Sequence, residues 1–530
     1  MNTQATATLT ALMLIGQGLV FSATANANNQ DDYQRWLQGT QQEFKSYLDA
    51  NDKAFLGFLN KKWEEVDVQK AQVRDPEPKP VTMPVAKPIP LSPPSKPEAA
   101  AKPTAKPADT PEPAGISEPI VKAEPVQRPA AKPVIKSEPV SPVPPVISTP
   151  VITKPIADKP IAAKPATVKG PHVSFEFFGN PVTIAYPRKF KSRFRQPLKE
   201  KQIARYWKTL ASTNHKPVIN SLNQTAERLS LNDWGKALLV DQFARALHKD
   251  NNSHTLTSWF LLVKSGFDAR IAYNQRVYLL LAAQQDLYGV TFFTMNGRPY
   301  YALGLNEQAM KPGQVYTYDG QHGSGSRPID FSQPYRFAAG STREARALAF
   351  QYGGQSYELE LNYPKGYISY LKDYPQLALP NYFSAGLPPK TAQQLLTQLK
   401  PVVSGVGEQE AVNRLLRFVQ TAFKYATDKQ QFNEENYLFP LETLHYPYSD
   451  CEDRAALFAW LTRELLGLDV MIVEYPGHVA TAVAFSTNVS GTGWNIRNRR
   501  YTIADPTYIN ADAGMVMPDY AKARAQLKSF

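Results

Sequence analysis

Twenty-five of the chain's 45 prolines fall between Pro76 and Pro165, and that stretch limits what the rest can become. Proline offers no N–H to a helix or sheet and locks φ near −65°, so residues 74–170 form no packed unit. Recurrent Lys-Pro and Glu-Pro pairs favour an extended polyproline II chain, at about 3.1 Å per residue. We read 74–170 as a disordered linker. Folded structure is left to residues 28–73 before it and 171–530 after it.

The first 27 residues combine an apolar core, "LTALMLIGQGLVF", with Ala25-Asn26-Ala27, which resembles a signal-peptidase site. Two features depart from an ordinary signal: no Lys or Arg precedes the core, and Gly16-Gln17-Gly18 interrupts it. The expectation is a secretory signal at 1–27 and a periplasmic protein without an integral membrane segment after cleavage. Within 28–73, "YQRWLQGTQQE", "FKSYLDANDKA" and "FLGFLNKKWEE" repeat every eleven residues. That period of 3.67 residues per turn lines aromatic and leucine side chains along one stripe of an amphipathic helix over 31–70. A lone helix cannot bury such a stripe. It docks on the C-terminal body, pairs with a second copy as a coiled coil, or lies on a protein partner, and partner or self-association is the expectation.

The net charge of +12 has no nucleic-acid-binding motif beside it, so no nucleic-acid partner is expected. Its densest run, "RKFKSRFRQPLKEK" (188–201), fits at most a weak attraction to anionic surfaces. From 171 onward, amphipathic helices alternate with short strands. "LNDWGKALLVDQFARALH" and "EQEAVNRLLRFVQTAFKYA" have helical periodicity, and two alternating runs meet at Gly353-Gly354 as a hairpin. The class is α+β, with domain boundaries drawn at 171–400 and 401–530.

Cys451 is the only cysteine and can form no internal disulfide. It stands just after Asp450, a plausible N-cap, at the start of an apolar run. A helix N-terminus favours thiolate; Glu452 and Asp453 oppose it, so a nearby cation is called for. Downstream, a strand and a Pro-Gly turn lead to His478 at the head of a second strand, and "RRYTIADPTY" carries Asp505 near the end of a third. Neighbouring strands lie about 4.8 Å apart. His478 and Asp505 can therefore meet, with Asp505 orienting the imidazole and His478 drawing the proton from Cys451.

Together, "DCEDRAALFAWLTRELLGLDV", "YPGHVATAV" and "YTIADPTY" resemble the transglutaminase-like superfamily over about 405–515. The resemblance implies a papain-like core with the nucleophile helix packed on an antiparallel sheet. It also implies Cys451 as nucleophile, His478 as base and then acid, and Asp505 as orienting group. The Cys451 N–H is a generic oxyanion donor, with His445 and Tyr446 as further candidates. The implied activity is cysteine-dependent acyl transfer on peptide or protein amides, with hydrolysis favoured and cross-linking to a lysine amine left open. A non-catalytic envelope binding or assembly protein is the alternative. Seven dispersed histidines suggest no metal site, and no cofactor is expected.

Shifted by 201 residues, "LTSWFLLVKSGFDARI" (256–271) lies over "LFAWLTRELLGLDVMI" (457–472). This places Asp250 on Cys451 and Val277 on His478. Residues 171–400 are accordingly read as a degenerate copy of the same core.

Overall fold

The computed structural model describes residues 50–72, 82–86, 171–305 and 312–530. The expected signal, the start of the eleven-residue repeat and most of the linker lie outside these.

Residues 50–59 are helical (α1). Phe55 and Leu59 of its apolar stripe are buried, and Phe55 packs edge-on against Trp207 and Tyr318. Asp52 accepts hydrogen bonds from Trp207 Nε1 and Lys264 Nζ, at 3.3 and 2.6 Å. The described part of the repeat thus buries its stripe on this chain's own body, the first of the three options. The helix does not continue to 70. Asn60 closes the last turn with both its backbone and side-chain N–H on the Leu56 carbonyl. Trp63 then seats on Tyr273 and Tyr318, which draws the chain out into strand β1 (Glu64–Val66) at a sheet edge. Part of the linker is also placed. Ala86 is buried, and residues 84–86 exchange backbone hydrogen bonds with Ile509, so the disordered-linker expectation fails for 82–86.

The body is α+β, built twice in the same order. The first round starts with hairpin β2 (His172–Phe177) and β3 (Asn180–Ala185), then helix α2 (Glu200–Ala211). Helices α3 (Lys216–Arg228), α4 (Asp233–Leu247) and α5 (Asn251–Lys264) follow. It ends in strands β4 (Ala269–Tyr273), β5 (Val277–Ala282), β6 (Phe292–Met295), β7 (Arg298–Tyr301) and β8 (Val315–Thr317). The second round starts with hairpin β9 (Arg343–Tyr352) and β10 (Gln355–Pro364), which turns at Gly353-Gly354 with φ of +58° and +78°. Positive φ at both positions suits the right-handed twist of the strands and costs glycine nothing. Helices α6 (Pro389–Val403), α7 (Glu408–Thr421) and α8 (Cys451–Leu466) come next. Strands β11 (Asp469–Tyr475), β12 (His478–Ala484), β13 (Gly493–Ile496), β14 (Arg499–Ala504) and β15 (Gln526–Lys528) complete it.

The two large sheets run β8-β4-β5-β7-β6 and β15-β11-β12-β14-β13, antiparallel throughout, with β1 added beyond β8. The packing follows suit. Helix α5 lies on α4, β4 and β5, as α8 lies on α7, β11 and β12, while α4 covers β2 and α7 covers β9. One polar trio recurs at the 201-residue spacing. Arg298 Nη1 and Tyr300 Oη donate to Asp268 Oδ2 at 2.7 and 3.1 Å. Arg499 Nη1 and Tyr501 Oη donate to Asp469 Oδ2 at 3.0 and 2.9 Å.

The largest of three hydrophobic clusters among the described residues runs from Phe55 to Ala513 through both rounds. The boundary drawn at 400/401 falls inside α6, whose Leu395 and Leu399 are fully buried; the second round opens instead at Arg343.

Candidate active site

Asp450 caps α8, and its backbone N–H donates to Asp453 Oδ2 at 3.4 Å. This reciprocal cap holds Cys451 at the first helical position, while Gly467, at φ +65°, ends the helix four turns later. Every residue from Cys451 to Thr462 is buried, because α8 is covered by helices on one side and by β11 and β12 on the other. Pro476 and Gly477 turn β11 back into β12, so His478 opens that strand, opposite Tyr475. Asp505 follows the last residue of β14, and β14 is the neighbour of β12.

His478 and Asp505 meet as expected: His478 Nε2 and Asp505 Oδ2 are 2.8 Å apart, with both side chains at most 1% exposed. The other oxygen of Asp505 accepts the backbone N–H groups of Thr507 and Tyr508 at 2.9 and 3.3 Å, which fixes the carboxylate. The imidazole packs against Tyr520 and Tyr475, with centroids 4.9 and 6.3 Å away, and the two phenol rings lie 5.1 Å from each other. Its second nitrogen, Nδ1, is buried and has no hydrogen-bond partner.

Cys451 is 1% exposed. The Val479 N–H, one residue from His478, is directed at its sulfur. The thiol does not bond the imidazole, however. It donates to Glu452 Oε2 at 2.9 Å. Burial pushes the thiol well above its ordinary value; the negative charges of Glu452 and Asp450 add to this, and only the Val479 N–H works the other way. The expected offsetting cation is present but turned elsewhere. Arg454, fully buried, gives its N–H groups to Ser449 Oγ and to the carbonyls of Val419, Gln420 and Phe423. Burial lowers it to about 10.

Sequence reasoning missed the carboxylates around this thiol. Oxygens of Asp428, Asp450 and Asp453 lie within 4.8 Å of one another, and so do those of Asp428, Glu435 and Glu452. Burial, then mutual repulsion, holds Asp428, Asp450, Glu452 and Asp453 all above the usual carboxylate range. Some oxygens are satisfied, as where Leu438 N–H meets Asp453 Oδ1 at 2.7 Å and Asn436 N–H meets Asp428 Oδ2 at 2.8 Å. Asp450 Oδ1 and Glu452 Oε1 are buried without a partner. An all-oxygen, multiply anionic donor set of this kind is suited to a hard divalent cation. The reading of no metal looked only for histidine and cysteine ligands. The one local signal was the run Asp450-Cys451-Glu452-Asp453, since Asp428 opens a short helix (Asp428–Phe432) and Glu435 follows it, and no periodicity ties either to the run.

The two guessed oxyanion donors are occupied elsewhere. His445 Nδ1 is 2.8 Å from Tyr363 Oη and 3.3 Å from Glu344 Oε2, and the Tyr446 N–H donates to the Glu442 carbonyl at 2.7 Å.

No protein-family model, no curated protein and no solved structure matches this chain.

Proposed function

We propose that the chain is an exported cysteine acyl-transfer enzyme with a transglutaminase-like core, hydrolysing peptide or protein amides. The observation that carries this reading is the unpaired, buried Nδ1 of His478, held in place by Asp505 on the ring's other nitrogen. Leaving such an acceptor dry and unsatisfied costs about 1–3 kcal/mol, and a structural histidine has no need of it. A thiol arriving there satisfies it. In the reaction, the Sγ–H turns from Glu452 to Nδ1 and gives up its proton. Sulfur forms a bond to the amide carbon, the C–N bond breaks, and the amine leaves with the proton from Nδ1. Water, deprotonated at the same nitrogen, then cleaves the thioester to a carboxylate and restores the thiol. The Cys451 N–H, in the first turn of α8, would be the donor to the oxyanion.

A second reading has an observation of its own. A thiol 1% exposed and bonded to Glu452 suits a binding body that has no turnover. The test is a p-nitrophenyl ester of a blocked amino acid, followed by p-nitrophenol release and intact mass. Acylation at Cys451 that falls at least about a thousandfold in His478→Ala supports the enzyme. Acylation that is absent in the wild type, or unchanged in His478→Ala, supports the binding body.

A further inference from the structure

The recurrence of the fold locates a cleft at the first round's counterpart of the Cys451 site. Strand pairing refines the correspondence. Tyr273 pairs with Val277, and Glu474, the residue 201 beyond Tyr273, pairs with Val479. The turn in the second round is one residue longer, so His478 corresponds to Arg276 and not to Val277. Aligned on Trp259 and Trp460, Cys451 corresponds to Asp250, and Asp505 to Gly304. Nucleophile, base and orienting acid are thus replaced by a helix cap, a guanidinium and a glycine. No acyl transfer can occur there. A cleft of about 680 Å³ is lined by Asp250 and Arg276 together with Arg193, Phe194, Lys249 and Asn252.

Its chemistry is cationic. The carboxylate of Asp250 is engaged as the α5 cap, accepting the Ser253 N–H at 2.8 Å, and no acidic residue follows in that first turn. Arg193, Phe194 and Gln196 bring the 188–201 run to the edge of the cleft, and the seven Lys and Arg side chains of that run are all exposed and form no ion pair among the described residues. The run is fixed in place. Phe190 is fully buried, Tyr206 Oη donates to the Ser192 carbonyl, and the Phe194 N–H donates to Ser253 Oγ at 2.7 Å, in the first turn of α5. Seven unpaired cations facing solvent repel one another, and an anionic ligand relieves that repulsion. A concave site with an aromatic wall and a side-chain amide favours an extended peptide over a flat lipid surface.

We propose that this cleft binds an acidic peptide segment. That the segment belongs to the substrate of Cys451 rests on the function proposed above; that the cleft binds it does not. The probe is a fluorescein-labelled peptide of ten glutamates, titrated by anisotropy with the full chain carrying Cys451→Ala, at 50 and 150 mM salt. Arg193→Glu with Lys249→Glu should weaken binding at least about tenfold, while Lys372→Glu with Lys400→Glu, equal in charge change but away from the cleft, should stay within about twofold. A decaglutamine peptide should not bind. Equal losses in the two charge-reversed proteins, or no binding by the parent, overturn the site. So does binding to phosphatidylglycerol vesicles without binding to the peptide, which would assign the strip to a membrane surface. Ester acylation reports on the enzyme separately: peptide binding without acylation keeps the cleft and discards the enzyme, and acylation without binding does the reverse.

Discussion

The two rounds of the fold treat buried acid in opposite ways. In the first, Asp241 is 2% exposed and flanked by His254 Nε2 at 2.5 Å and Arg245 Nε at 2.6 Å, with Ser258 Oγ donating as well. These partners outweigh burial and hold its carboxyl below the usual range. In the second, Asp428, Asp450, Glu452 and Asp453 face one another, and the one buried guanidinium beside them turns to backbone carbonyls. One sheet order and one helix arrangement therefore carry a settled core in one place and an electrostatically tense one in the other. The tension lies around Cys451, where the Cys-His-Asp arrangement is kept, and is missing where those three residues are replaced.

The sharpest way to break this contrast is to neutralise one acid in each round. Asp241→Asn removes charge from a satisfied network and should cost about 3 kcal/mol in urea unfolding at pH 7. Asp428→Asn keeps the acceptor for the Asn436 N–H while removing repulsion, and should stabilise by about 1–2 kcal/mol. If Asp428→Asn also destabilises, the cluster already has a counter-charge. Repeating the melts with added calcium would then show whether the wild type rises and the variant does not.

Titration should separate the rounds next. Burial pushes His248 down to about 4, below its unfolded value near 6.5. Its contribution is complete above pH 6.5 and is lost as pH falls toward 4. Burial pushes Glu442 up to about 8 from an ordinary 4.5. Its contribution is complete below pH 4.5 and is lost as pH rises through 8. The differences correspond to at most about 3 kcal/mol for His248 and about 5 kcal/mol for Glu442. Stability measured from pH 4 to 9 should therefore flatten on the acid side in His248→Gln and on the alkaline side in Glu442→Gln. Either substitution flattening the opposite limb would refute the assignment.

How much of this could be read beforehand depends on the range of the interaction. The start of α8 at Asp450, the Pro476-Gly477 turn and the position of Asp505 after a strand are set by neighbours in the chain, and each was legible. The eleven-residue stripe showed that residues 50–59 need a covering surface; it could not show that Trp207 and Tyr318, far along the chain, supply it. The carboxylate cluster was hidden for the same reason, because Asp428 and Glu435 reach Glu452 only in the folded chain. The Arg276 correspondence needed strand register, since one added residue in the turn shifts β12 by one, the 201 spacing returns at β14, and the residue composition reveals neither.

The smallest effect tests the correspondence itself. The Asp-Arg-Tyr trio is the same in both rounds, but Asp268 is 1% exposed at its side chain and Asp469 is 54% exposed. If the trio's value is set by solvent and not by geometry, Asp268→Ala should cost about 2 kcal/mol, because it strands the buried Tyr300 hydroxyl. Asp469→Ala should then cost about 0.5 kcal/mol, as exposed ion pairs do. Double-mutant cycles with Arg298→Ala and Arg499→Ala would isolate the ionic part in each. Equal coupling in the two rounds would mean that the trio braces the sheet by its geometry wherever it occurs. Unequal coupling would mean that one motif has been kept in two places for which only one gains stability, leaving the exposed copy to be explained by the orientation it gives β14, the strand that leads into Asp505.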